Sequence, residues 1–96
     1  MIITGKVLAV KSPKDYYKIK DESILVAKNT TPDIVMIIHR IKAIVTEIDN
    51  KLCHAAIIAR EYGKPLIMGA PDATKKFKTG DKIRINLENK NIVKIK

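Results

Sequence analysis

The sequence predicts one small α/β domain with a parallel βαβαβ core and a C-terminal β-hairpin, and three observations carry that prediction. Short apolar runs stand at Val7-Leu8-Ala9-Val10, Ile24-Leu25-Val26-Ala27, Ala43-Ile44-Val45 and Leu66-Ile67-Met68, each bounded by polar or turn residues. Between the later runs lie stretches with helix start and stop signals. That alternation, with its short links, calls for parallel strands and right-handed crossovers. Beyond Gly80 the texture changes: Ile83, Ile85 and Leu87 alternate with Arg84, Asn86 and Glu88, as in a half-exposed strand of an antiparallel pair.

Taken in order, Ile2-Ile3 and Val7 to Val10 read as strand around Gly5, and Ser12-Pro13-Lys14-Asp15 reads as a turn. Tyr16 to Ser23 is a polar connection with room for a short edge strand. Ile24 to Ala27 has the continuous apolar character of a strand buried on both faces. Thr31-Pro32-Asp33 then opens a helix, with a Thr cap, a Pro at the first helical position and an acid in the first turn. Ile34, Val35, Ile37, Ile38 and Ile41 follow helical spacing and form its buried face, while His39 and Arg40 close it. Ala43 to Thr46 is the next strand. A second helix begins near Asn50 to Leu52 and stops at Gly63, which can take the left-handed conformation, with Pro65 barring continuation. Leu66 to Met68 is a strand, Ala73 to Lys78 holds one helical turn, and Asn89-Lys90 turns the chain from the Ile83 strand into Ile92-Val93-Lys94-Ile95.

Composition narrows the function classes. Ninety-six residues, 46% of them hydrophobic, suffice for one core, and no apolar run approaches a membrane span. A single cysteine excludes an internal disulfide framework and suits a reducing, cytoplasmic setting. The net charge of +9 invites a nucleic-acid reading. The basic residues, however, are scattered lysines with only Arg40, Arg60 and Arg84 as arginines, and Tyr16, Tyr17, Tyr62 and Phe77 are the few stacking candidates. A solvated lysine surface explains the charge better than a nucleic-acid site.

The chemistry concentrates between Thr46 and Gly69. His54 falls in the first turn of a helix, where unpaired backbone N–H groups and the positive end of the helix dipole make a phosphate site. Cys53 beside it is a small buried thiol rather than half of a nucleophilic pair, because adjacent helical side chains diverge. Cys53, His54 and His39 lack metal-ligand spacing. The run His54-Ala55-Ala56-Ile57-Ile58-Ala59-Arg60 resembles the phosphohistidine signature of the phosphoenolpyruvate-utilising enzymes. Its continuation Glu61-Tyr62-Gly63-Lys64-Pro65, the upstream Thr30-Thr31-Pro32-Asp33, and the segments Ala43 to Thr46 and Thr79-Gly80-Asp81 resemble the same family, so the likeness covers roughly residues 24 to 87. Ahead of the histidine the family has two small residues and a Ser or Thr, where this chain has Asp49, Asn50, Lys51 and Leu52. Glu47 and Asp49 also bring negative charge close to an incoming anion.

The resemblance implies a swivelling β/β/α domain across residues 1–96, with His54 as the phosphoryl-accepting nucleophile. It implies backbone contacts to phosphate from Cys53, Ala55 and Ala56, and contacts of Arg60 and Thr30 with a docked partner. No cofactor or metal is implied for this domain; Mg and ATP belong to a partner. Two readings follow. One is a free-standing carrier that passes a phosphoryl group between separate nucleotide-binding and pyruvate- or phosphoenolpyruvate-binding chains. The other is a binding or regulatory module that kept the fold after losing the glycine pair and the hydroxyl.

Overall fold

Every residue of Ser23–Ala27 is buried, and this strand organises the molecule. A computed structural model describes residues 1–20 and 22–95. Asp21, in the expected polar connection, and Lys96, at the end of the expected domain, lie outside the described residues. The strands are β1 (Ile2–Val10), β2 (Ser23–Ala27), β3 (Ile41–Thr46), β4 (Leu66–Ile67), β5 (Lys82–Asn86) and β6 (Asn91–Ile95), and the α-helices are α1 (His54–Tyr62) and α2 (Ala73–Lys76). They form a mixed α/β domain around one six-stranded sheet in the order β4-β3-β2-β1-β5-β6. β1, β2, β3 and β4 run parallel, neighbour to neighbour. β5 pairs antiparallel with both β1 and β6.

Side chains alternate across a strand, and here both faces are covered. Leu25 and Ala27 of β2 join Leu8 and Ile44 beneath α1, whose Ala55, Ala56, Ile58 and Ala59 face the sheet. Ile24 and Val26 point the other way, packing with Val45, Ala73 of α2, Phe77, Ile83 and Ile85.

Three expectations are corrected. The helix expected from Thr31 is two 3₁₀ helices, Pro32–Met36 and Ile38–Arg40, broken at Ile37 with φ −125° and ψ 7°. The segment is dense in β-branched residues, which are poor in an α-helix, and Ile41 already pairs with Ser23 as the first residue of β3. Ile34, Ile37, Ile38 and Ile41 are buried as expected, but Val35 is 42% exposed. Thr31 precedes the first of these turns without a side-chain cap hydrogen bond; its hydroxyl lies instead 3.3 Å from the Tyr16 hydroxyl.

The second correction concerns residues 12–20. In place of a turn followed by an edge strand, Pro13–Lys18 forms a 3₁₀ helix. Its start is held by Asp15 Oδ2, which accepts the amides of Lys11 at 2.8 Å and Ser12 at 3.1 Å. Because β1–β2 and β2–β3 are both bridged by 3₁₀ helices, β3–β4 is the one connection between parallel neighbours that runs through an α-helix among the described residues. The third is the start of the second expected helix, which falls at His54 rather than at Asn50 to Leu52.

Candidate functional site around His54

β1, β2 and β3 all end at the same edge of the sheet, and the link from β3 to α1 is pinned across it. Glu47 donates its amide to Ala27 O at 3.1 Å and Ile48 to Lys28 O at 3.2 Å, while Gly69 N reaches Ile48 O at 3.2 Å. The link then makes a turn of its own. Asn50 accepts the Leu52 amide on its side-chain Oδ1 at 2.9 Å and the Cys53 amide on its carbonyl at 3.0 Å. An Asx turn of this kind competes with helix and delays its onset, so Cys53 becomes the residue before α1, with φ −71° and ψ 161°.

His54 is therefore the first residue of a nine-residue helix. At the far end Gly63 takes φ +66° and the Lys64 amide reaches Ala59 O at 2.8 Å, the closure its sequence foretold. The half-buried His54 ring points back toward the end of β2. Its Nδ1 lies 2.7 Å from Thr30 Oγ1, and Thr30 is only 5% exposed. The Thr30 amide in turn donates to Asn29 Oδ1 at 2.8 Å, and the Thr31 amide to the Tyr16 hydroxyl at 2.9 Å.

The first-turn amides of His54, Ala55 and Ala56 have no carbonyl four residues back to meet, as in any helix. The Cys53 amide differs from the expectation that it faces a phosphate, since it is taken by Asn50 O. The Cys53 thiol is free and buried. Arg60 is exposed and enters none of the ion pairs among the described residues. With Lys51 and Lys64 it rims a shallow hollow floored by Ala56, Ala59, Leu66 and Met68. His39 is exposed in the second 3₁₀ helix, and the hydrogen-bond partner of His54 is Thr30 rather than His39.

The two carboxylates that precede the helix turn away from the ring. Glu47 Oε2 accepts the Thr74 hydroxyl at 2.6 Å and the Thr74 amide at 2.9 Å. Those two hydrogen bonds, the hydroxyl first, hold its pKa below the usual carboxylate value. Asp49 leans on Gly69, where an added Cβ would stand 3.1 Å from Oδ2. Neither carboxylate is among the hydrogen-bond partners of His54. Among the described residues, no group of three or more His, Cys, Asp or Glu is placed to hold a metal ion, and no helix is long and apolar enough to cross a membrane.

Tyr16 is the residue that sequence reasoning missed. It read as one of a few aromatics in a polar connection, yet it is 1% exposed and its hydroxyl holds Thr31 across 15 residues. Nothing periodic in the sequence marks such a contact. The nearest clue is the Tyr16-Tyr17 pair directly after a Pro-x-Asp turn.

Comparison with known proteins bears on the same residues. The sequence model of the PEP-utilising enzyme mobile domain matches residues 19–90. A probable phosphoenolpyruvate synthase of Pyrococcus horikoshii is 38% identical over 94 residues, covering 94% of this chain and 11% of that protein. A probable phosphoenolpyruvate synthase of Archaeoglobus fulgidus is 42% identical over 87 residues, 91% of this chain and 12% of that protein. The chain thus spans about a tenth of the length of these relatives. Among solved structures, an Enzyme I (nEIt) protein aligns with a TM-score of 0.63 at 20% identity over 79% of this chain and 32% of its own. Aconitase X of Thermococcus kodakaraensis aligns over the whole chain and 92% of its own with a TM-score of 0.67 at 19% identity, a likeness of fold alone. With three quarters of its length inside the family's sequence model and such identities to its members, the chain belongs to the mobile-domain family of the PEP-utilising enzymes.

Proposed function

We propose that the chain is a phosphohistidine carrier domain in which His54 Nε2 accepts and returns a phosphoryl group. The observation that supports it best is the 2.7 Å contact between Thr30 Oγ1 and His54 Nδ1. With Nδ1 occupied by the hydroxyl, only Nε2 can offer a lone pair, and it does so when Nδ1 carries the ring proton and donates it to Thr30 Oγ1. Nε2 then bonds phosphorus as the bond from phosphorus to the donor's leaving group breaks, and that group departs with the electron pair. The ring keeps its Nδ1 proton and holds the positive charge until the return step restores the neutral imidazole. The amides of His54, Ala55 and Ala56 and the helix dipole favour the arriving dianion. Thr30 is a positioning residue in this reading, its burial leaving little surface for a docked partner. Arg60, with Lys51 and Lys64, fits contact with an anionic partner face. The donor and acceptor are a nucleotide-binding partner, which would bring ATP and Mg, and a phosphoenolpyruvate- or pyruvate-binding partner. The free Cys53 thiol suits a reducing, cytoplasmic compartment.

The test is transfer in trans. Incubated with a Pyrococcus-type phosphoenolpyruvate synthase whose own mobile-domain histidine has been replaced, and with ³²P-labelled phosphoenolpyruvate, the chain should gain one acid-labile, base-stable phosphate. ATP without the partner should leave it unlabelled. Equal labelling of His54→Ala would refute the assignment.

A further inference from the structure

Residues 28–31 leave β2 without joining any helix or strand, so no ladder of backbone bonds fixes Thr30 where it meets the histidine. Two consecutive amides of this segment are held by side chains instead. The Thr30 amide goes to its neighbour's Asn29 Oδ1 at 2.8 Å, a local contact that travels with the segment. The Thr31 amide goes to the Tyr16 hydroxyl at 2.9 Å, and Thr31 Oγ1 meets the same hydroxyl at 3.3 Å. At the start of the segment Lys28 O accepts the Ile48 amide at 3.2 Å. At Thr31, next to the residue that meets the histidine, the tie to another part of the fold is the pair of Tyr16 contacts. Tyr16 itself cannot drift: it is 1% exposed within the core that includes Leu8, Leu25 and Ile34. Its short helix is fastened at the start by Asp15 to the amides of Lys11 and Ser12, just beyond the end of β1. A phenylalanine would fill the same apolar space, so packing does not require the hydroxyl.

We infer that Tyr16 is a positioning residue for His54: its buried hydroxyl holds the Thr30–Thr31 segment so that Thr30 Oγ1 meets Nδ1 and Nε2 is left with the free lone pair. The inference deepens the phosphohistidine reading, but its first readout is independent of any phosphoryl chemistry. Tyr16→Phe removes the long-range tether of Thr31 and leaves the ring in place, with the segment still held at Lys28 O by the Ile48 amide. Thr30 then no longer meets Nδ1 in one fixed geometry, and the imidazole loses its tautomeric preference.

The experiment measures the His54 tautomer by ¹⁵N NMR of the whole chain and the rate at which phosphoramidate, a small donor that needs no partner, phosphorylates His54. In Tyr16→Phe the Nδ1–H fraction should fall and the rate should drop by about 3- to 10-fold, the size of one lost hydrogen bond. Tyr17→Phe makes the same change one residue along at a 66% exposed site, and should alter neither. If Tyr16→Phe folds with tautomer and rate unchanged, or if Tyr17→Phe matches its effect, the inference is overturned. Should Tyr16→Phe fail to fold, site-specific 3,5-difluorotyrosine at Tyr16, studied at a pH that keeps its phenol protonated, weakens the hydroxyl as an acceptor without removing it, and the same two readouts decide. A wild-type chain that phosphoramidate never labels at His54 would remove the phosphohistidine reading, while the tautomer comparison would still decide the role of Tyr16.

Discussion

Thr30 Oγ1 and His54 Nδ1 stand 2.7 Å apart although 24 residues separate them in the chain. The contact joins the end of β2 to the first residue of α1. It therefore depends on the parallel pairing of β2 with β3, which sets the two loops side by side. A ring held at one nitrogen presents the other, and that asymmetry is what a phosphoryl carrier needs.

Thr30→Val keeps the shape of the side chain and removes its oxygen. Phosphorylation of His54 should slow by about 10-fold, the equivalent of one hydrogen bond to a group that gains charge. Thr30→Ser should restore most of it. Rates from ³¹P NMR with phosphoramidate check this, and equal rates in all three proteins would remove Thr30 from the account.

Much of this arrangement was legible in the residues, and the reasons differ by element. The buried strands announced themselves as apolar runs, and Gly63 with Pro65 marked the end of α1, because single residues there dictate the backbone. The segment after Thr31 was harder. Positions 34 and 38 in the 3₁₀ helices, 37 at the break and 41 at the start of β3 are buried as they would be in one α-helix, so spacing could not separate the two. The start of α1 slipped because Asn50 serves a turn as readily as a helix cap, and an Asx turn took it. The Tyr16–Thr31 bond was invisible, since a lone long-range hydrogen bond leaves no period. His54 as candidate nucleophile came from the signature, whereas its pairing with Thr30 came only from the fold.

Two glycines test the backbone, one closing α1 and one following β4. Gly63→Ala places a Cβ in open space at φ +66°, so the cost is backbone strain alone, about 1–2 kcal/mol. Gly69→Ala has the same strain at φ +72° and adds a contact of 3.1 Å with Asp49 Oδ2. Chemical unfolding should rank Gly69→Ala as the more destabilised. The reverse order would mean that Asp49 does not rest against Gly69.

Acid should weaken the fold through Asp15. Its pKa is lowered from 3.8 to about 2, first by the Lys11 amide and then by Lys18. The unfolded chain thus binds this proton more readily than the folded one. The resulting stability is fully present above the unfolded value and is lost as pH falls toward the folded one. Glu47, lowered by Thr74, contributes in the same direction. Asp15→Asn should cost about 1 kcal/mol at neutral pH, a figure discounted for solvent screening. It should also flatten the decline between pH 4 and pH 2 that urea unfolding shows for the wild type. An unchanged slope would contradict the hydrogen bonds assigned to Asp15.

The loop before His54 separates stability from chemistry. Leu52 is 82% exposed, so Leu52→Thr should shift stability by no more than about 0.5 kcal/mol. Asn50→Ala removes the acceptor of the Leu52 amide and should cost about 1 kcal/mol, with faster amide exchange in the first turn of α1. Exchange that stays as slow as in the wild type would show that the Asx turn does not support the helix start.

The central claim is that His54 Nε2 is the atom that takes phosphorus, and one measurement reaches it directly. After labelling with phosphoramidate, phosphorus–nitrogen–proton connectivity by NMR identifies the modified nitrogen. The account predicts one phosphate, on Nε2 of His54, lost in acid, kept in base and absent from His54→Ala. Phosphate on Nδ1, or label that persists in His54→Ala, would contradict it.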